Sequence, residues 1–173
     1  MKVPFSCRNP EIDESPLPGE TPEQLVLRLA EAKAARIAEL ETGAVIIGSD
    51  QVAVLGDRIL GKPGNYENAR LQLRAMSGQC VRFLTALCLL NSASGNSQLA
   101  CIRDDVYFRK LSDAEIERYL KSEQPYQCAG SFKSEALGIT LIDRIDGQDP
   151  TALIGLPLIK LTEMLVNEDY KIP

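Results

Sequence analysis

The stretch "AVIIGSDQVAVLGDRILGKPGN", residues 44–65, decides how this chain is read. Ala44 to Ser49 is a short run of buried-strand character. Val52 to Leu55, then Gly56-Asp57, then Arg58 to Leu60 predicts a hairpin around a glycine-containing turn. Between these runs stand Asp50 and Gln51, so the reading puts a carboxylate and an amide at the carboxyl end of a buried strand. Open α/β sheets bind ligands at such ends. A strand tip can also carry an Asp only to cap its turn, and spacing leaves both readings open.

Working outward, Thr21-Pro22-Glu23-Gln24 signals a helix start, with Thr as N-cap, Pro at the first position and Gln at the third. The helix is predicted to run to about Glu41, with Val26, Leu29, Ala30, Ile37 and Leu40 on its apolar face. Lys33 falls on that same face, where a lysine would ordinarily snorkel along the helix side. Asn65 caps a second helix, Tyr66 to about Met76, which Gly78 is placed to end. Two long strands follow, residues 81–91 and 97–110, joined by "SASGN". Ser112-Asp113-Ala114-Glu115 is a capping box for a helix to about Lys121. A glycine-bounded loop leads to a strand at 139–145, and a last helix follows Gly155-Leu156-Pro157. The order is mixed α/β without strict βαβ alternation.

Bulk properties narrow the chemistry. At 173 residues the chain fits one domain, and no apolar run approaches the roughly 18 residues needed to span a bilayer. No signal-peptide pattern opens it, so the expected address is the cytoplasm. A net charge of −5 disfavours a nucleic-acid polymer as partner, though a small polyanion can bind wherever a few lysines converge. The five cysteines are scattered singly, against both a disulfide framework and a zinc site. The chain has no histidine, which excludes Ser-His-Asp triads, His-ligated metals and imidazole acid–base catalysis. Any hydrolysis must therefore use carboxylates, lysines and an oxygen-ligated metal such as Mg²⁺. Taken singly, Lys62 before Pro63, Glu14 in a Pro-rich loop and Glu135 between glycines are weak signals.

Together they form a pattern. "EIDES" (11–15), "RLAEAKA" (28–34), "IIGSDQV" (46–52), "GKP" (61–63), "MSGQ" (76–79), "AGSFKSEALG" (129–138) and "GLPL" (155–158) closely resemble the Maf nucleotide pyrophosphatases, in order and with compatible spacing. Gln51 and Glu135 resemble the 7-methyl-GTP subgroup, whereas the dTTP/UTP subgroup carries Thr and Gln there.

The resemblance implies an α/β fold with a mixed sheet, elongated and two-lobed like the inosine triphosphate pyrophosphatases, with a nucleotide cleft between the lobes. It implies hydrolysis of a nucleoside triphosphate to the monophosphate and pyrophosphate, with a divalent cation (Mg²⁺, Mn²⁺ or Co²⁺) as cofactor. Residue by residue, it makes Asp50 the base that activates water and Glu14 a second site carboxylate, the two together holding the metal. Lys33 and Lys62 become cationic partners for phosphate, and Gln51 and Glu135 become specificity positions near the base. Homodimers are common in the family. The alternatives are a dTTP/UTP-type enzyme and a non-catalytic nucleotide-binding regulator of septum formation. The family's usual first strand and S-x-S-P-x-R segment have no counterpart here, so residues 1–173 are expected to be one Maf-like domain lacking that segment, with "KVPFSC" (2–7) matching the second strand region.

Overall fold

A computed structural model describes residues 3–172. Its scaffold is one five-stranded sheet. The strands are β1 (Val45–Leu55), β2 (Arg58–Leu60), β3 (Cys80–Asn91), β4 (Ser97–Phe108) and β5 (Ile142–Asp146), in the spatial order β2-β1-β3-β4-β5. Every pairing between them is antiparallel, which corrects the expected mixed sheet. The reason is connectivity. β1–β2 and β3–β4 are hairpins closed by Gly56 and Gly95, both in the left-handed region, so neither needs the crossover that a parallel pair requires. Val3 to Cys7, expected as strand, form none; Lys2 lies outside the described residues.

Side chains alternate across β1 and β3 and build a core on each face of the sheet. One face is covered by α1 (Pro22–Ala38), whose Val26, Leu29, Ala30 and Ala34 pack on Ile46, Val52, Val54, Leu84 and Ala86. The other face carries α2 (Tyr66–Met76) and α3 (Asp113–Glu123) around Ala53, Val81, Phe83 and Val106. Farther along that face, α4 (Leu158–Asn167) packs on Leu87 and Leu89. α1 starts where the sequence predicts, with the Thr21 hydroxyl accepting from the Gln24 N–H and the Gln24 side chain answering to the Thr21 N–H.

The GSDQ segment does not end a strand. β1 runs unbroken for 11 residues and pairs with β3 from Val45 to Val54, which puts Asp50 opposite Ala86 in mid-strand. Gly48 makes this continuity possible: a Cβ there would lie 2.1 Å from the Ala30 carbonyl oxygen. The absent side chain lets α1 lie directly on the strand. The outer edge of β1 is a different matter, because β2 pairs with it only at Ala53, Val54 and Leu55. Among the described residues, positions 45–52 of that edge have no strand partner.

One buried polar group stands apart from these cores. Asp104 on β4 is 1% exposed, and its Oδ2 has no hydrogen-bond partner. Burial, then the nearby Asp149 and Asp105, push its carboxyl up to about 6. The folded state thus binds this proton more tightly than the unfolded chain does. The contribution of Asp104 to stability should be most favourable below about pH 4, fall between about pH 4 and 6, and carry the full penalty above. Asp104→Asn is therefore expected to stabilise the protein by roughly 2–3 kcal/mol at pH 8 and by less than about 1 kcal/mol near pH 4. Urea denaturation at the two pH values checks this, and an equal effect at both would contradict it.

Candidate active site

Lys33 answers for its place on the apolar face of α1. Its Nζ lies 2.7 Å from Asp50 Oδ1 and 2.7 Å from Glu14 Oε1. Asp50 can meet it because even-numbered residues of β1 face α1. The lysine stem runs beside the apolar stripe while its head joins two carboxylates.

Glu14 comes from an irregular loop, and the loop needs an anchor. Arg28, five residues before Lys33 on α1, supplies it with a two-pronged bond to Glu20: Nε to Oε1 at 2.6 Å and Nη2 to Oε2 at 2.9 Å. The same Nη2 donates to the Ser15 carbonyl at 3.1 Å. The guanidinium, followed by the Leu17 N–H, holds the Glu20 carboxyl down to about 2. Sequence reasoning missed Arg28 and Glu20. The available signal was an arginine at the head of "RLAEAKA", on the same helix as Lys33, and an acid just before the N-cap.

Charges in the trio are set by competing effects. Burial raises the Asp50 carboxyl above its usual range, against the hydrogen bond and charge of Lys33 and the more distant charge of Lys62. Glu14 is lowered, chiefly by its hydrogen bond to Lys33. For Lys33 burial disfavours the ammonium, yet the bonds to Asp50 and Glu14 outweigh it and the pKa rises. The arrangement keeps Lys33 charged, with the Asp50 carboxyl raised and the Glu14 carboxyl lowered from their ordinary values.

The open edge of β1 borders a cleft of about 300 Å³. Asp50, Gln51, Lys62 and Glu135 all line it, with Phe132 and Leu153 among the apolar residues. Asp50 and Gln51 belong to opposite faces of the strand, and both reach the cleft because no strand covers this edge. Glu14 is joined to the cleft through Lys33. Lys62 is exposed on the turn after β2 and has no ion-pair partner among the described residues. Its turn is fixed by the Gly61 carbonyl, which accepts from Gln72 Nε2 and the Gly130 N–H. Glu135 is exposed, also without an ion pair among the described residues, on a loop held by the buried Tyr119 hydroxyl. That hydroxyl donates to the Ser131 carbonyl and accepts from the Lys133 N–H.

Gln51 is more constrained than its neighbours in the cleft. Its Nε2 donates to Thr85 Oγ1 at 2.8 Å and to the Ala152 carbonyl at 2.9 Å. Because a carbonyl can only accept, the amide orientation is fixed and Oε1 is the atom left for a ligand.

The donor set can be weighed against a divalent cation. Among the described residues no three acidic or cysteine side chains gather as a metal cage. Glu14 and Asp50 each give Lys33 one oxygen and keep the other out of that ion pair, a donor set that fits Mg²⁺, which takes one or two protein carboxylates and completes its shell with phosphate oxygens and water.

An antiparallel sheet with a carboxylate–lysine trio at the edge of a cleft is the framework in which the family relationship is seen. The chain belongs to the Maf family: the Maf-like protein profile matches residues 1–168. It is 54% identical over 173 residues to the 7-methyl-GTP pyrophosphatase of Pseudomonas fluorescens (strain Pf0-1), covering 100% of this chain and 90% of that protein. Identity and coverage are the same for the 7-methyl-GTP pyrophosphatase of Pseudomonas syringae pv. tomato. The protein of that name from Nitrosococcus oceani is 54% identical over 172 residues, covering 99% of this chain and 86% of that protein.

Proposed function

We propose that this protein is a nucleoside triphosphate pyrophosphatase that hydrolyses 7-methyl-GTP to 7-methyl-GMP and pyrophosphate. The observation that carries the reading is the Glu14–Lys33–Asp50 trio beside a cleft that also holds Lys62, in a chain 54% identical to enzymes of that name. Asp50 takes a proton from a water molecule as the water oxygen bonds to the α-phosphorus. The bond from that phosphorus to the α–β bridging oxygen breaks, and pyrophosphate leaves. Lys62 and Lys33 offset the negative charge that builds on the phosphate oxygens, an effect strongest where water is partly excluded. The raised Asp50 pKa suits a base, and Lys33 beside it keeps the ionised form accessible at neutral pH.

Pyrophosphatases of this family generally depend on a divalent metal. Glu14 and Asp50 are the residues that would hold it. When bound, such an ion supplies charge neutralisation to the triphosphate. Nucleoside triphosphates are made and spent in the cytoplasm, and the reading takes that as the enzyme's place of work.

Glu135 and the free Oε1 of Gln51 give the cleft acceptors. Guanine offers N1–H and a 2-amino group as donors, and N7 methylation makes the ring cationic, which favours a carboxylate partner. Uracil and thymine lack that donor pair, so acceptors desolvated against them stay unpaired. The double change Glu135→Gln, Gln51→Thr should move preference towards pyrimidine triphosphates. Pyrophosphate release from 7-methyl-GTP, GTP, dTTP and UTP tests both statements. No release from 7-methyl-GTP would refute the activity. An unchanged 7-methyl-GTP to UTP ratio of kcat/KM in the double variant would refute the base-reading roles.

A further inference from the structure

We propose that Asp149 and Thr151 are positioning residues for base selection, acting through the Ala152 carbonyl on the orientation of the Gln51 amide. This rests on the reading of Gln51 as a base-contacting residue. Neither Asp149 nor Thr151 lines the cleft, and Asp149 is 3% exposed. Asp149 organises the segment that follows it. Its Oδ1 accepts from the Thr151 N–H at 3.0 Å and the Thr151 hydroxyl at 2.6 Å, and its Oδ2 accepts from the Ile159 N–H at 2.7 Å. Thr151 Oγ1 in turn accepts from the Leu158 N–H at 2.8 Å. The first turn of α4 and the short 3₁₀ turn Ala152–Ile154 are thereby tied to one carboxylate.

That turn carries the carbonyl that fixes Gln51. Ala152 O accepts from Gln51 Nε2 and from the buried Thr85 hydroxyl at 3.1 Å, and Thr85 Oγ1 receives the other Gln51 N–H. Ser49, next on the same face of β1, reaches the Gly155 carbonyl at 2.7 Å. With Ala152 O in place, an amide flip would set the Gln51 oxygen against a carbonyl and cost a buried hydrogen bond. Gln51 therefore presents an acceptor to the cleft. Release of the Ala152–Ile154 turn would let the amide flip and present donors instead, which suit the carbonyl-rich edge of a pyrimidine.

Thr151→Val keeps the shape of the side chain and removes its hydroxyl, while Thr151→Ser keeps the hydroxyl. Thr151→Val is expected to lower the ratio of kcat/KM for 7-methyl-GTP over UTP by about tenfold, the scale of one buried hydrogen bond, mainly through KM. Thr151→Ser should retain the wild-type ratio. The side-chain N–H₂ protons of Gln51 should be protected from exchange in wild type and Thr151→Ser and lose protection in Thr151→Val. If Thr151→Val loses activity on both nucleotides alike, or keeps the ratio, the positioning role is overturned. Gln51→Leu separates the two ideas. An unchanged ratio in Gln51→Leu sinks the reading of Gln51, whereas a changed ratio there with none in Thr151→Val sinks this inference alone. Should Thr151→Val fail to fold, Asp149→Asn carries the same comparison: it keeps the shape but sets an amide against the Ile159 N–H.

Discussion

Asp50→Asn should lower turnover of 7-methyl-GTP by roughly 10²-fold or more, the low end of what a general base contributes. The asparagine has the same shape and still offers an oxygen to Lys33, so the trio's packing survives. It cannot take a proton from water. Substrate affinity should change much less, because Lys62 and Lys33 remain to meet the phosphates. The pH profile gives a second readout. In the wild type, burial raises the Asp50 pKa, so activity should be lost as pH falls through a value above the ordinary aspartate range. The residual activity of Asp50→Asn should lack that acid limb. Steady-state kinetics across pH, with binding measured separately, would decide it; near wild-type turnover in the variant would remove Asp50 from the role of base.

How much of this site could be read in the chain depends on whether local or tertiary effects place each part. The α1 start was legible because the Thr21–Gln24 box is a contact between neighbours in sequence. Lys33 was legible as an anomaly, a charge on an apolar stripe, although its partners Asp50 and Glu14 lie far away in sequence. The antiparallel order was not legible, because α2 between β2 and β3 suggests a crossover while β3 returns to pair with β1. Nor was the position of Asp50 within β1. Gly48 reads locally as a break in a strand, yet here it admits a helix backbone and the strand continues. Arg28, Glu20, Thr85 and Asp149 were missed for one reason. Each acts on another residue through hydrogen bonds closed only by the fold.

Gly48→Ala should cost more than about 3 kcal/mol, at or beyond the usual upper end for overpacking. The added methyl would sit 2.1 Å from the Ala30 carbonyl oxygen, 2.9 Å from the Ala34 nitrogen and 3.1 Å from the Ala34 Cβ. Two of those three atoms are helix backbone, so no side chain can rotate away to relieve the clash. Either α1 lifts from β1 or the strand bends. Both movements expose part of the core formed by Val26, Leu29, Ala30 and Ala34 with Ile46 and Val52. Both also separate Lys33, on the turn of α1 that spans the clash, from Asp50 two residues along β1. The variant should therefore lose stability and catalysis together, and Glu14 should lose its ion pair as Lys33 retreats. A nearby control is Ala35→Gly, on the exposed side of the same helix, where the cost should be only about 1 kcal/mol from helix propensity and turnover should hold. Denaturant midpoints and turnover for the two variants make the comparison. If Gly48→Ala is no less stable than Ala35→Gly, α1 does not rest on β1 in this way, and the meeting of Lys33 with Asp50 loses its structural cause.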